Sequence, residues 1–275
     1  MEHRLTIRHG DIELAATLHY PSVPHPVQEQ SGKWPIIIIC HGFVGNRIGV
    51  DRLFVKAARD WSEHGYLVLR FDYAGCGEST GDYGASGIDD MISQTRRVLD
   101  YALSLDSVDP TRVILLGHSL GGAVALLTAA RDQRVKSLVL WSAVAYPLND
   151  IVGVVGRPAY DEAIRTGAVD YSGYKLSKSF FESLSRHQPL QEARNFRGDV
   201  FLLHGAGDDV IPSDYTFLYQ RVFWLRSDGI CDKEVLLHAN HTFSTTDSST
   251  QAISKTRCWL IGIDRQKKEW NDWTI

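Results

Sequence analysis

Hydrophobic positions along the chain alternate with a period of two, then merge into unbroken runs, then recur at helical spacing. Residues 3–8 and 12–20 alternate and meet at Gly10-Asp11, which predicts a β-hairpin. Residues 21–35 are rich in proline and predict a loop. The run Ile36-Ile37-Ile38-Ile39-Cys40 suits a central parallel strand covered on both faces. Leu53, Phe54, Ala57, Ala58 and Trp61 mark an amphipathic helix that stops at His64-Gly65. Residues 66–71 predict another strand, and Ile88, Met91, Ile92, Thr95, Val98, Leu99 and Ala102 another helix. Strands at 112–116 and 137–141 then flank an apolar helix over 122–130.

Strand and helix in this alternation predict an α/β domain, a mostly parallel twisted sheet with helices on both faces. Functional groups in such sheets gather beyond the C-terminal strand ends. The rhythm breaks over residues 143–197, a stretch too long to be structureless. It predicts an inserted cap, or lid, with helices of its own, and leaves 1–142 and 198–275 as the core. Its aromatics, Tyr146, Tyr160, Tyr171, Tyr174, Phe180 and Phe181, predict an apolar pocket for substrate. The core pattern resumes with a strand at 200–204, a helix around 215–225, a strand at 234–237 and a last helix over 249–262.

Composition narrows the function classes. With 275 residues, 44% of them hydrophobic, the chain can bury one large core. A net charge of -4 and a pI near 6.2 carry no electrostatic footprint for nucleic acid or an anionic membrane, and suit a small neutral substrate. No stretch approaches the ~18 apolar residues of a membrane span, and the first residues lack a signal-peptide core; a soluble, cytoplasmic protein is expected. Cys40, Cys76, Cys231 and Cys258 are scattered without CxxC pairing and read as reduced thiols. No HExxH or similar spacing appears, so no metal is expected. Gly75-Cys76-Gly77-Glu78-Ser79-Thr80-Gly81 brings its third glycine one position late for a dinucleotide loop. It reads as a turn anchored by Asp72, and no cofactor is expected. Trp270 and Trp273, in a polar C-terminal stretch, are read as covering the body of the fold, with docking on a second subunit of a homodimer as the alternative.

The candidate chemistry centres on Gly117-His118-Ser119-Leu120-Gly121, which follows the run Val113-Ile114-Leu115-Leu116 and opens the apolar helix. A serine on such a strand–turn–helix elbow is held out of the sheet as a nucleophile. It needs a base, a carboxylate to orient that base, and N–H donors for the oxyanion. His204-Gly205-Ala206-Gly207-Asp208-Asp209 leaves a strand at the right edge. Both aspartates satisfy the chain order, and Asp208 is preferred to Asp209. Beyond them only His238 and His241 remain; His241 lies further into the loop, where it can reach across, and is preferred. The donors are expected from the backbone N–H groups of Leu120 and of Phe43, after the turn His41-Gly42.

Together, His41-Gly42-Phe43, the segment from Phe71 to Ser79, Gly117-His118-Ser119-Leu120-Gly121-Gly122, the segment from Gly205 to Asp208, and Asn240-His241-Thr242-Phe243 resemble the α/β-hydrolase superfamily. Within it the chain resembles bacterial carboxylesterases of the cinnamoyl (feruloyl) esterase type, over residues 5–262. The resemblance implies Ser119 as nucleophile, Asp208 as acid, His241 as base, Phe43 and Leu120 as oxyanion donors, and ester hydrolysis through an acyl-enzyme. Short-chain or hydroxycinnamoyl-type esters are the implied substrates. Departures are Leu120, where that group often has Gln, and Asn240, where Gly or Asp often precedes the histidine. A thioesterase, an amide hydrolase and a non-catalytic small-ligand sensor are the alternatives.

Overall fold

The four isoleucines at 36–39 lie in the middle of an eight-stranded sheet and are at most 1% exposed. Each such buried side chain contributes roughly 1.5–3 kcal/mol. The computed structural model describes residues 1–25, 32–85 and 87–273, with 271–273 as backbone only. Part of the expected loop over 21–35, and the Trp273 side chain, lie outside the described residues.

In chain order the elements begin with β1 (Glu2–His9), β2 (Ile12–His19), β3 (Trp34–Cys40), α1 (Leu53–Ser62), β4 (Leu67–Phe71), α2 (Ile88–Leu103), β5 (Val108–His118), α3 (Leu120–Ala129) and β6 (Ser137–Trp141). Next come α4 (Pro147–Val155), α5 (Arg157–Thr166), β7 (Ala168–Tyr171), β8 (Tyr174–Ser177), α6 (Lys178–Arg186) and α7 (Pro189–Glu192). The chain closes with β9 (Asp199–Gly205), α8 (Tyr215–Trp224), β10 (Cys231–Leu236) and α9 (Thr246–Trp273). The sheet order is β1-β2-β4-β3-β5-β6-β9-β10. β1 and β2 form the expected hairpin, with His9 opposite Ile12 across Gly10-Asp11, and β2 is antiparallel to β4. All other pairings in this eight-stranded sheet are parallel.

Three differences from the sequence reading have local causes. Residues 168–177 form a two-stranded hairpin, β7–β8, turning at Ser172-Gly173, where both residues have positive φ. Its strands are four residues each, too short for a period to register. β5 begins at Val108 rather than 112, because Asp109-Pro110 resembles a turn yet sits at the strand entrance, where proline is tolerated. The last helix runs to Trp273: Gly262 resembled a C-cap but lies within the helix, with nothing inside 4 Å of an added Cβ. Trp270 therefore stands on a helix, 75% exposed.

Parallel register aligns the C-terminal strand ends. Cys40 pairs with Gly117, His118 with Trp141, and Leu236 with Gly205. The segments leaving β3, β5, β9 and β10 therefore emerge on the same side of the sheet, carrying residues 41–46, Ser119, Asp208 and His241 respectively. Helix α3 is buried on every face, which explains its unbroken apolar composition.

Candidate active site

Ser119 sits between β5 and α3 with φ 58° and ψ −125°, a conformation that L-residues rarely adopt. Three backbone hydrogen bonds hold it there. Its N–H donates to the Trp141 carbonyl at 2.9 Å, and its carbonyl accepts from Gly122 at 2.9 Å and Val144 at 3.1 Å. The turn is tight enough to require glycine on both sides. A Cβ on Gly117 would meet the Gly121 carbonyl oxygen at 2.2 Å; one on Gly121 would meet the Cys40 and His41 oxygens at 2.2 and 2.3 Å. Those are backbone atoms of the neighbouring strand end and cannot swing aside. Gly121→Ala is therefore expected to cost roughly 3 kcal/mol or more, a fall in Tm on the order of 10 °C. Gly262→Ala, by contrast, should stabilise by about 0.5–1 kcal/mol. Thermal melts of the two variants check this, and equal melting would refute the steric argument.

The loop after β3 is fastened to the elbow by His41 and Gly42. His41 is buried; its Nδ1–H donates to the Gly42 carbonyl at 2.9 Å, and its Nε2 accepts from the Tyr73 N–H at 3.0 Å. Burial lowers its pKa to about 4, so the ring is neutral and this tautomer is kept. Gly42 lies so near Ser119 that a Cβ on it would stand 3.0 Å from the serine Cβ. Among the described residues the Phe43 and Leu120 N–H groups have no hydrogen-bond acceptor, and neither does the Ser119 hydroxyl have a partner. Looser nucleophile geometry is usual without substrate.

Asp208 and His241 meet at the strand ends. The His241 Nδ1–H donates to Asp208 Oδ2 at 2.8 Å, while Oδ1 accepts from the N–H groups of Val210 and Ile211, each at 2.9 Å. A further donor, unanticipated from sequence, is His204 Nε2, 2.9 Å from the same Oδ2. Burial by itself would raise the Asp208 carboxyl; the hydrogen bonds from His204 and His241 outweigh it and hold the group far below the usual carboxylate range. Asp209 is exposed and His238 is exposed two residues beyond β10, so neither competes. The loop carrying His241 is closed by Asn240, which bonds Ser244 through both amide atoms, and by Phe243, buried against Trp141. His118, on the elbow, donates from Nε2 to the His241 carbonyl at 2.8 Å, and its ring lies 4.9 Å from the His241 ring. Burial, then the neighbouring His241, push its pKa down to about 3, so it stays neutral.

Ser119, His241, His41 and residues 42–46 line a cavity of about 270 Å³ completed by Gly49, Val50, Leu53 and Phe54. Residues 143–197, expected to line it, do not. They enclose a separate cavity of about 430 Å³, with Tyr146, Leu148, His187 and Leu190 among its walls. They reach the site through the Val144 N–H on the Ser119 carbonyl and through the Phe43 ring, packed 5.5 Å from Tyr171 and 6.0 Å from Phe180 between ring centres. The glycine-rich segment 75–81 wraps the buried Asp72, which accepts from the backbone N–H groups of Arg47 and Glu78 and pairs with the Arg47 guanidinium. A Cβ on Gly77 would overlap that carboxylate, so the glycines serve the turn.

A family model for the alpha/beta hydrolase fold matches residues 35–158. An uncharacterized 31.7 kDa protein from the traX-finO intergenic region of Escherichia coli is 38% identical over 130 residues, 46% of this chain and 42% of that protein. The quorum-quenching protein AidA of Acinetobacter baumannii is 34% identical over 131 residues, 47% of this chain and 40% of that one. These matches thus span less than half of each relative. The mitochondrial palmitoyl-protein thioesterase ABHD10 of Homo sapiens is 26% identical over 204 residues, 71% of this chain and 64% of that one. Among solved structures, Est1E from Butyrivibrio proteoclasticus with bound ferulic acid superposes with a TM-score of 0.79 at 24% identity, covering 94% of this chain and 99% of that one. No helix among the described residues is long and apolar enough to cross a membrane.

Proposed function

From the α/β-hydrolase fold, which this chain has, we propose that the protein is a serine hydrolase that cleaves carboxylic esters through an acyl-enzyme. The observation that carries the reading is the convergence at one strand-end face of a strained Ser119, whose hydroxyl has no partner among the described residues, and the His241–Asp208 pair. In this mechanism His241 Nε2 takes the Ser119 proton as Oγ attacks the ester carbonyl. Asp208 stabilises the imidazolium, and the N–H groups of Phe43 and Leu120 receive the developing oxyanion. Collapse of the tetrahedral intermediate expels the alcohol, which takes the proton from His241. Water, deprotonated by the same histidine, then releases the acid. Each oxyanion donor is expected to be worth ~2.7–4 kcal/mol in the transition state.

Substrate class follows from size and charge. A cavity of about 270 Å³ lies just below the usual range for small-molecule sites, which suits a short acyl chain or a single ring of the hydroxycinnamoyl kind. We assign residues 143–197 as a cap that positions the Phe43 loop. Thioester cleavage is a second reading, favoured by the likeness to a palmitoyl-protein thioesterase. The purified protein should turn over p-nitrophenyl butyrate many times, and faster than butyryl thioesters. A single equivalent of p-nitrophenol with no further release would instead support a small-ligand sensor.

A further inference from the structure

We propose that His204 is a positioning residue for the reaction, a second histidine on the Asp208 carboxylate that fixes its orientation and limits how much of its charge His241 receives. The inference rests on the Ser119–His241–Asp208 reading. His204 ends β9, is 1% exposed, and has all its ring nitrogens engaged. Its Nδ1 accepts from the Thr216 hydroxyl of α8 at 3.0 Å, which leaves the proton on Nε2. That N–H is shared between Asp208 Oδ2 at 2.9 Å and the Ile211 carbonyl at 3.1 Å. With His241 on the same oxygen and two backbone N–H groups on the other, all four acceptor positions of the carboxylate are filled. The carboxylate cannot rotate without breaking two bonds on each oxygen, so the Nδ1–H of His241 is always aimed at the same point.

The shared oxygen also has an electrostatic consequence. Negative charge drawn toward His204 is not available to stabilise the imidazolium that forms on His241 during the reaction, because both rings donate to the one oxygen. Among the described residues, two other titratable groups lie near this cluster: His118 from the elbow, already neutral by burial and bonded to the His241 carbonyl, and Asp209, next to Asp208 in the chain and exposed. Neither supplies the donor that His204 does.

The test is histidine-labelled nitrogen NMR of the whole chain, read beside the pH profile of kcat/KM. In the wild type, His204 should show a protonated Nε2 and a bare Nδ1, and its Nε2 signal should shift as His241 titrates, because both donate to one oxygen. His204→Phe, which keeps an aromatic ring but removes the donor, should move the acidic limb of the kcat/KM profile upward by about 0.5–1 unit. His204→Gln, whose terminal amide can donate from the same place, should restore most of the wild-type value. A His204 signal that stays fixed through the His241 titration overturns the proposal, as does a Gln variant shifted as far as the Phe variant. The wild-type titration decides the matter even if the Phe variant does not fold. Undiminished turnover in Ser119→Ala would sink the hydrolase reading while leaving the NMR coupling in place, so the two failures are distinguishable.

Discussion

Ser119→Ala should lower kcat/KM for p-nitrophenyl butyrate by roughly 10⁴-fold or more while leaving the fold intact. The substitution removes only the hydroxyl, which has no hydrogen-bond partner among the described residues, so no packing or bonding is lost with it. The residue keeps its Cβ and the three backbone bonds that hold φ at 58°, and the melting temperature should change little or rise. Residual turnover would come from the free Phe43 and Leu120 N–H groups acting on water attack. A variant that melts like the wild type and still hydrolyses the ester at a comparable rate would remove the serine from the mechanism.

Asp208→Asn should cost about 10⁴-fold in kcat, although the side chain hardly changes shape. Asparagine can keep its oxygen toward the Val210 and Ile211 N–H groups, and its amide nitrogen then faces the Nδ1–H of His241 as a donor toward a donor. The imidazole would move its proton to Nε2, the nitrogen that must accept from serine. The same variant has a signature in stability. The carboxyl of Asp208 is held below its ordinary value in the folded state. Its stabilisation is therefore present above the unfolded pKa of about 3.9 and is lost as pH falls through the folded one. Denaturant melts of the wild type should weaken through that acid range, and those of Asp208→Asn should weaken less. Matching acid profiles would show that the carboxylate does not carry the linkage.

The central elements were legible in the sequence wherever one side of the argument was dominated by burial. Ile36 to Ile39 could only be an interior strand, and Gly117-His118-Ser119-Leu120-Gly121 could only be a turn between such a strand and an apolar helix. The pairing of Asp208 with His241 was legible because strand ends on one side of a parallel sheet converge. What stayed hidden depended on neighbours far apart in the chain. His204 reads as the last residue of a strand until α8 brings Thr216 to one face of its ring and the following turn brings Asp208 to the other. The β7–β8 hairpin is short, and Ser177 at its end bonds the Gly84 and Ala85 carbonyls, more than ninety positions away. The wall of the Ser119 cavity was misread for the same reason. The aromatic residues of the inserted segment pack on each other and on Phe43, Tyr83 and Tyr215, and the wall facing the serine and His241 is drawn from residues 41–54.

Phe43 belongs to two neighbourhoods at once: its amide stands free in the loop beside Ser119, and its ring is lodged among Tyr83, Tyr171 and Phe180. For a lineage exploring new substrates, this ties two traits that many enzymes can vary separately. A substitution in the aromatic cluster that opened room for another acyl group would also disturb the aim of a donor, so novelty in selectivity and constancy of rate would be selected together. Divergence in this chain is then easier along the other wall, at Val50 and Leu53, which border the cavity and are not part of the aromatic cluster around Phe43.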